Sequence, residues 1–308
     1  MKTISVIIPC YNEQSNITQL YDALKSMADS NKGYKWELLF IDDGSRDNTL
    51  AAIKSIALAD ERIRYVALSR NFGKESAMLA GLDSASGDCA IIMDADLQHP
   101  PTVIPDMICL WEEGFDDVYG EREDRGKESF MRRKLSLMYY KILEKTARID
   151  VLPNVGDFRL LDRKCIESMK IMRETQRYTK GLFCWIGFKK GKVSFKQQGR
   201  NSGKSSFNYF KLFNLAIEGI TSYTTAPLRI STVFGLISSF AAFAYMIFVF
   251  IKTILIGETV QGFPTIVIII LFLGGIQLLS LGIIGEYLSR IFIETKHRPN
   301  YLVREKNF

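Results

Sequence analysis

The sequence predicts an α/β domain with a mainly parallel sheet, followed by an interfacial amphipathic helix and two transmembrane helices. Three observations support this: apolar strand-like segments alternate with helical patterns in the first half, polar residues follow several of these strands, and two long uncharged segments lie near the C-terminus. A chain of 308 residues is long enough for one α/β domain of roughly 200 residues and a smaller unit.

The first half of the chain contains the strand–helix alternation. The predicted strands are Ile4–Ile8, Trp36–Ile41, Ile63–Leu68, Ala90–Met93 and Val118–Tyr119, and the predicted helices lie around Ile17–Ala28, Asn48–Ala59, Lys74–Ser84 and Pro101–Glu112. Apolar strands alternating with helices are typical of a mainly parallel sheet covered on both faces. Ligands of such sheets bind at the carboxyl ends of the strands, so polar residues there are candidate site residues. A helix at Phe130–Ala147 and a strand at Lys192–Lys196 are also predicted.

The C-terminal region contains two stretches without a charged residue, Ile230–Ile251 and Thr259–Gly285. A helix of 22 residues spans about 33 Å, against a hydrocarbon core of about 30 Å. The two stretches therefore predict a transmembrane hairpin, with a pair of buried core helices as the alternative. Phe207–Ser222 has an apolar helical face and is expected in the membrane interface. The predicted divisions are 1–205 for the α/β domain, 206–228 for the interfacial helix, 229–290 for the hairpin and 291–308 for a basic tail.

Basic residues predict the orientation in the membrane. Arg229 precedes the hairpin, and Arg290, Lys296 and Arg298 follow it, so both flanks are expected on the cytoplasmic side. The N-terminus has no signal-peptide pattern. We therefore predict a multi-pass protein of the cytoplasmic (inner) membrane, with its catalytic domain and both termini in the cytoplasm. The five cysteines are expected to be reduced, and a net charge of +6 does not favour nucleic acid as a partner.

Two aspartates, Asp94 and Asp96, follow the fourth predicted strand. Two close carboxylates repel each other unless a cation lies beside them. Mg²⁺ is usually held by one or two carboxylates together with substrate phosphates and water, which suits a nucleotide diphosphate. The alternative is that one aspartate caps the following helix and the other is solvated.

Polar loops also follow the first three predicted strands. Pro9–Glu13 follows the first strand, Asp42–Asp47 follows the second and Ser69–Lys74 follows the third. Carboxylates at strand ends can accept hydrogen bonds from a base or a ribose, and Tyr11 offers a face for stacking. Asp42 or Asp43 is the functional candidate, whereas Ser45 and Asp47 are typical of turn and cap chemistry.

A basic region precedes the hairpin. Between Glu174 and Glu218 there are nine Lys or Arg residues and no Asp or Glu. Such a stretch attracts anionic headgroups and would also collect a lipid phosphate. Simple docking to the membrane is the alternative, and both roles can hold.

Taken together, these motifs resemble the family 2 glycosyltransferases, whose domain has the Rossmann-like GT-A fold. Pro-x-Tyr-Asn-Glu, Asp-Asp-Gly-Ser and Asp-Ala-Asp occur in order at the predicted strand ends. The polyprenyl-phosphate branch, which includes bactoprenol glucosyltransferases and dolichol-phosphate mannose synthase, is more similar still. The segments that carry this similarity are 69–74, 94–101, 119–125, 156–163, 180–188, 200–205 and 226–229, so the resemblance covers nearly the whole chain. His99 and Ser206-Phe207 depart from the pattern.

The resemblance implies a role for each matching residue. The residues implied to bind the nucleotide are Pro9, Tyr11, Glu13, Asp42, Asp43, Lys74, Asp94 and Ala95. Those implied to surround Mg²⁺ or Mn²⁺ are Asp94, Asp96 and Gln98. Those implied to bind the acceptor phosphate are Arg122, Arg125, Arg132 and Arg200. Asp157, Asp96 and Arg200 are the implied catalytic residues.

The implied reaction transfers a sugar, with UDP-glucose as the first expectation, to polyprenyl (undecaprenyl) phosphate with inversion. The expected partners are a nucleotide sugar, the polyprenyl phosphate and the membrane, and homo-oligomerisation is left open. Two alternatives remain, a membrane polysaccharide synthase of the same fold and an inactive nucleotide-binding anchor. Only two spans are predicted and no Gln-x-x-Arg-Trp motif occurs, which argues against the first. The intact Asp-Ala-Asp argues against the second.

Overall fold

The structure is a computed structural model that describes residues 1–122, 155–175, 177–196, 226–256 and 262–308. The chain folds into two compact units. The first comprises Met1–Tyr209 together with Arg298–Phe308, and the second comprises Phe210–His297. The helices predicted at Phe130–Ala147 and Phe207–Ser222 lie outside the described residues.

The first unit alternates strands and helices along most of its length. Its strands are β1 (Thr3–Cys10), β2 (Lys35–Asp42), β3 (Ile63–Leu68), β4 (Cys89–Ile92), β5 (Asp117–Arg122), β6 (Val155–Asp162), β7 (Lys190–Phe195) and β8 (Val303–Lys306). Its helices are α1 (Gln14–Ser30), α2 (Thr49–Ala59), α3 (Lys74–Ser84), α4 (Ile104–Glu112, preceded by a 3₁₀ turn at Pro101–Val103), α5 (Arg163–Ile171) and α6 (Thr179–Trp185). The predicted α/β class is confirmed.

The strands form one mixed sheet in the order β7-β5-β6-β4-β1-β2-β3-β8. Strands β4, β1, β2 and β3 are parallel neighbours, whereas β6 is antiparallel to both β4 and β5, and β8 is antiparallel to β3. β5 and β7 are parallel to each other. The predicted mainly parallel arrangement therefore describes six of the eight described strands, and the exceptions are β6 inside the sheet and β8 at its edge. Antiparallel edge strands are common on otherwise parallel sheets.

The central strands are buried on both faces. Every residue of β4 and all but the first of β2 are buried, because helices cover both sides of the sheet. On one face α1 buries Ile17, Leu20 and Leu24 among the core residues. This packing leaves the strand ends as the places where polar loops can meet.

The sequence analysis missed β6, α5, α6 and β8. It also separated 291–308 as a basic tail, whereas the structure joins Arg298–Phe308 to the first unit. The reason is that β8 pairs with the free edge of β3, where Ala67 lies opposite Glu305. A four-residue strand gives too short a pattern to be recognised without its partner strand.

The second unit contains two long helices, α7 (Ala226–Ile256) and α8 (Phe263–Thr295), which contact each other. Among the described residues one helical stretch, Phe272–Thr295, is long and apolar enough to cross a membrane. Within α7 the corresponding apolar stretch is the shorter Ser231–Tyr245. The prediction of two transmembrane helices is therefore not confirmed.

Candidate active site

The carboxyl ends of β1, β2 and β4 and the start of α3 surround a cavity of about 290 Å³. Its lining residues are Pro9, Cys10, Tyr11, Glu13, Asp43, Asn71, Gly73, Lys74, Ala77, Asp94, Ala95 and Asp96. Seven of the eight residues expected to bind the nucleotide are among them. The eighth, Asp42, is buried beside the cavity and accepts a hydrogen bond from the backbone N–H of Ser45.

Backbone strain is located at the rim of this cavity. Asn12 and Leu97 have positive φ angles of 56° and 59°. Asn12 follows Tyr11 in the loop after β1, and Leu97 follows Asp96 in the loop after β4. Residues in this conformation persist only where the surrounding structure determines them, and they cluster at functional sites.

Asp43 connects the loop after β2 to the loop after β3. Its two carboxylate oxygens accept hydrogen bonds from the N–H groups of Phe72, at 2.7 Å, and Gly73, at 2.9 Å. Burial raises the pKa of Asp43, and these two N–H groups partly oppose the rise. The two loops are packed so closely that a Cβ on Gly44 would lie 2.4 Å from the carbonyl carbon of Arg70.

Lys74 links two carboxylates that are far apart in the sequence. Its Nζ lies 2.5 Å from Oδ1 of Asp94 and 2.7 Å from Oδ2 of Asp157. Burial would lower the pKa of Lys74, but the two aspartates raise it, with a net rise. Burial would raise the pKa of Asp157, but Lys74 beside it produces a net fall. Lys74 and Asp157 are therefore both charged at neutral pH.

Asp157 lies on β6 and is 9% exposed. One of its oxygens binds Lys74, and the other, Oδ1, is buried without a hydrogen-bond partner in the described part of the chain. Buried carboxylate oxygens are normally hydrogen-bonded, so the unpartnered oxygen is available to a ligand. The structure thus places Asp157 next to the predicted metal and diphosphate residues.

His99 supports the loop that carries the aspartate pair. Its ring stacks on Phe158 with centroids 4.8 Å apart, and its Nδ1 accepts a 3.3 Å hydrogen bond from the N–H of Asp94. Burial lowers the pKa of His99, so the ring is neutral at pH 7. This residue departs from the family pattern, and here it holds the start of the loop through the backbone.

The donor set fits a divalent cation bound together with a phosphate ligand. Within the described part of the chain, no group of three or more His, Cys, Asp and Glu residues could hold a metal ion alone. Mg²⁺, however, is usually held by one or two carboxylates and completed by substrate phosphates and water. Asp94 and Asp96 both line the cavity, and the ammonium group of Lys74 already lies against Asp94. A cation is thus accommodated at this position.

The other residues predicted for the metal and the acceptor phosphate do not line this cavity in the described part of the chain. Gln98 is buried, and its N–H donates to Asp96 at 3.2 Å, so it lies behind the cavity wall. Arg122 ends β5 and is half-buried near Gly156. Arg125, Arg132 and Arg200 lie outside the described residues. The roles of all these residues stay predictions.

From the sequence, Gly73 and Lys74 suit a diphosphate but are weak evidence on their own, and Asn71 is not singled out as a ligand-binding residue. Asn71 and Gly73 both line the cavity from the loop after β3. Gly73 has a φ of 97°, and the position at the start of α3 therefore favours glycine. The strand–loop–helix pattern with a glycine directly before the helix was the available signal.

The fold and the site together define a Rossmann-like domain with a cavity of acidic and basic side chains at the carboxyl ends of its central parallel strands. Residues 5–169 match the family Glycosyl transferase family 2, and residues 226–291 match the GtrB C-terminal hairpin. The chain belongs to glycosyl transferase family 2 and is a glycosyltransferase.

Relatives of this chain extend over nearly its whole length. It is 44% identical to a putative glycosyltransferase, CsbB, of Bacillus subtilis over 99% of this chain and 92% of the relative. It is 41% identical to the bactoprenol glucosyl transferase of Shigella phage SfV and 42% identical to a prophage bactoprenol glucosyl transferase homolog of Escherichia coli. Each of these two comparisons covers 98% of both chains. These identities over nearly the full length of both chains confirm the predicted similarity to the bactoprenol glucosyltransferases.

A solved structure has a similar fold. Glucosyl-3-phosphoglycerate synthase from Mycobacterium tuberculosis, in complex with Mn²⁺, UDP and phosphoglyceric acid, superposes with a TM-score of 0.50 at 20% identity, over 71% of this chain and 76% of the other. This similarity confirms the GT-A fold of the first unit.

Proposed function

We propose that this protein transfers glucose from UDP-glucose to polyprenyl (undecaprenyl) phosphate at the cytoplasmic face of the membrane, with inversion and with a divalent metal. The observation that carries the proposal is the meeting of Asp43, Lys74, Asp94 and Asp96 around one cavity. The near full-length similarity to proteins named bactoprenol glucosyl transferase supports the lipid acceptor and the sugar.

The donor nucleotide fits the loops after β1, β2 and β3. Tyr11 is 39% exposed at the cavity and offers its ring to a base. Asp43 supplies carboxylate oxygens for ribose hydroxyls or a base N–H. The N-terminus of α3 and the ammonium group of Lys74 are both positive, which favours a diphosphate at this end of the cavity.

The metal would be held by Asp94 and Asp96 at the end of β4. Bound there as Mg²⁺ or Mn²⁺, it would neutralise negative charge on the leaving diphosphate. Lys74 contributes positive charge to the same region and also pairs with Asp157. Lys74 and the metal would together supply positive charge where the leaving diphosphate departs.

The acceptor side is assigned to Asp157, Arg122 and the three further arginines implied by the resemblance, Arg125, Arg132 and Arg200. Arg122 ends β5, and its guanidinium lies near Gly156, the residue before Asp157. A phosphate monoester is anionic at neutral pH, so attack does not require a strong base. Asp157 would orient the reacting groups with its unpartnered oxygen, and a single displacement would invert the anomeric carbon.

Chain connectivity supports an even number of membrane crossings. Residues on both sides of the α7–α8 hairpin belong to the same compact unit, because β8 pairs with β3. One crossing would leave β8 and β3 on opposite sides of a bilayer. Both helices also expose large apolar side chains, such as Phe240 on α7 and Leu278 on α8, which suits contact with lipid. These features support two spans with the catalytic unit and both flanks of the hairpin on one side, and the basic residues of the flanks favour the cytoplasmic side.

The test is transfer of radiolabelled sugar from a panel of nucleotide sugars to undecaprenyl phosphate, with and without Mg²⁺ or Mn²⁺. We expect label in the lipid fraction from UDP-glucose, only with metal. Asp96→Ala should reduce the rate at least about 100-fold, because an interaction with the developing charge is lost. Asp22→Ala is the matched control, since Asp22 is an exposed aspartate on α1.

The outcomes separate the parts of the proposal. If a different nucleotide sugar labels the lipid, the donor sugar proposed here is wrong but the class of reaction is right. Metal-independent transfer would remove the role given to Asp94 and Asp96. If the protein binds UDP but no donor labels the lipid, the polyprenyl acceptor is wrong.

A further inference from the structure

The last residues of the chain return to the first unit and contact the elements that carry the donor cavity. β8 extends the sheet beyond β3, and Asn307 fixes its end: the side-chain oxygen accepts from the N–H of Tyr65 at 2.8 Å, and the side-chain NH₂ donates to the carbonyl of Ile63 at 3.1 Å. Glu305 adds an ion pair with Lys54 on α2 at 2.8 Å. The strand is thus held to the sheet along its length.

The residues just before β8 bind both ends of the segment that follows β3. At the start of that segment the N–H of Ser69 donates to the carbonyl of Leu302 at 2.8 Å. At its far end, in the last turn of α3, Asp83 accepts a 2.6 Å hydrogen bond from the hydroxyl of Tyr301. Asp83 is also bound by Arg173 at 2.7 and 2.8 Å.

The segment between these two anchors supplies a large part of the cavity wall. Asn71, Gly73, Lys74 and Ala77 line the cavity, and the N–H groups of Phe72 and Gly73 hold Asp43. A shift of the loop or of α3 would therefore move several donor-facing groups together. Sub-ångström placement matters for such groups, because binding and catalysis depend on their geometry.

We propose that the C-terminal segment Tyr301–Asn307 is a positioning element of the donor cavity. It fixes the loop 69–73 and α3 so that Asp43, Gly73 and Lys74 are arranged for the nucleotide diphosphate. The residues Tyr301 and Asn307 touch neither the cavity nor the reacting atoms. Tyr301 acts through α3, and Asn307 acts through β3, which continues into the loop 69–73. The inference rests on the proposed function only in taking the cavity as the nucleotide site. It gives a function to the residues that follow the α7–α8 hairpin.

The test measures UDP binding to the purified full-length protein in detergent with Mn²⁺, by calorimetry. We expect Tyr301→Phe to weaken UDP binding about threefold and the double variant with Asn307→Ala to weaken it about tenfold, because each loses hydrogen bonds of typical strength. The donor KM should rise by the same factors. The acceptor KM and the rate at saturating donor should stay as in the wild type.

Matched controls come from the same unit. Tyr21 also donates its hydroxyl to an aspartate held by an arginine, Asp60, at 3.2 Å, and Asn31 also uses its side-chain NH₂ on a backbone carbonyl, at 2.7 Å. The Tyr21→Phe, Asn31→Ala double variant should bind UDP like the wild type. Thermal unfolding of each variant verifies that it is folded.

Two results would overturn the inference: UDP binding unchanged in the Tyr301→Phe, Asn307→Ala variant, or an equal loss in the control pair. A parallel rise in the acceptor KM would also count against it, since the whole site would then be affected. If the wild type binds UDP and the C-terminal variants weaken that binding while no lipid is glycosylated, the positioning role holds and the proposed acceptor fails.

Discussion

Two buried carboxylates at opposite ends of the sheet differ in how completely they are hydrogen-bonded. Glu37 lies near the start of β2 and is 4% exposed. It accepts from the hydroxyl of Ser5, from the N–H and hydroxyl of Ser86 at 3.0 and 2.8 Å, and from Arg64 at 2.6 Å. Every contact joins it to a neighbouring strand or loop, so this carboxylate ties the sheet together.

Asp157 lies at the other end of the sheet, and its carboxylate is only partly hydrogen-bonded. Lys74 binds one of its oxygens, and the other oxygen is buried and has no partner among the residues that the structure describes. A buried carboxylate with an unused oxygen costs stability that the fold must recover elsewhere. The contrast indicates that the end with Glu37 is built for stability and the end with Asp157 for a ligand. Stability and function are therefore expected to separate in mutants.

The largest effect is expected at Asp157. Asp157→Asn should reduce sugar transfer about 100-fold, because the group that orients the reacting partners loses its charge. The unfolding temperature should stay within about 2 °C of the wild type, since the residue makes one ion pair and leaves an oxygen unpaired. Transfer assays and thermal unfolding in detergent measure the two quantities. A large fall in unfolding temperature would place Asp157 with Glu37 as a structural residue.

The second largest effect is expected at Glu37, where a substitution should reduce stability and leave activity unchanged. Glu37→Gln should lower the free energy of unfolding by about 1–3 kcal/mol, because the donors on Ser5, Ser86 and Arg64 lose a buried carboxylate acceptor. The rate of transfer and the donor KM should not change. Denaturant unfolding of the variant against wild type gives the first quantity, and kinetics below the transition give the second. Loss of activity without loss of stability would break the comparison.

The smallest effect concerns His99, whose Nε2 is also a buried atom without a hydrogen-bond partner among the described residues. Burial lowers the pKa of His99 in the folded state below its ordinary value of about 6.5. The unfolded chain therefore binds a proton that the folded chain excludes, and stability falls as the pH drops below about 6.5. The unfolding temperature of the wild type should fall between pH 7.5 and 5.5 by about 1–3 °C more than that of His99→Phe.

The control for this prediction is the second histidine of the chain, His297. It is exposed, so His297→Phe should keep the pH dependence of the wild type. An identical pH dependence in His99→Phe and wild type would mean that other groups are responsible.

The central strands, their helices and the loops at their ends could be predicted from the sequence. β3 and α3 have the predicted bounds. The other predicted elements that the structure describes differ from the observed ones by a few residues at their ends. These features are local: runs of apolar residues fix a strand buried on both faces, and the polar residue that follows lies at the strand end. Asp94 and Asp96 reach the cavity for this reason.

Other features depended on contacts between distant segments. The insertion of β6 beside β4 brings Asp157 to Lys74, 83 positions away, and the pairing of β8 with β3 brings Leu302 to Ser69. No local pattern specifies either pairing, because strand order is decided by which edges remain free once the central strands have packed. The sequence alone determined that acidic loops meet at a sheet of parallel strands. Only the tertiary structure decided which carboxylate is left unpaired and which end of the chain holds the cavity wall, since both follow from hydrogen bonds across the sheet.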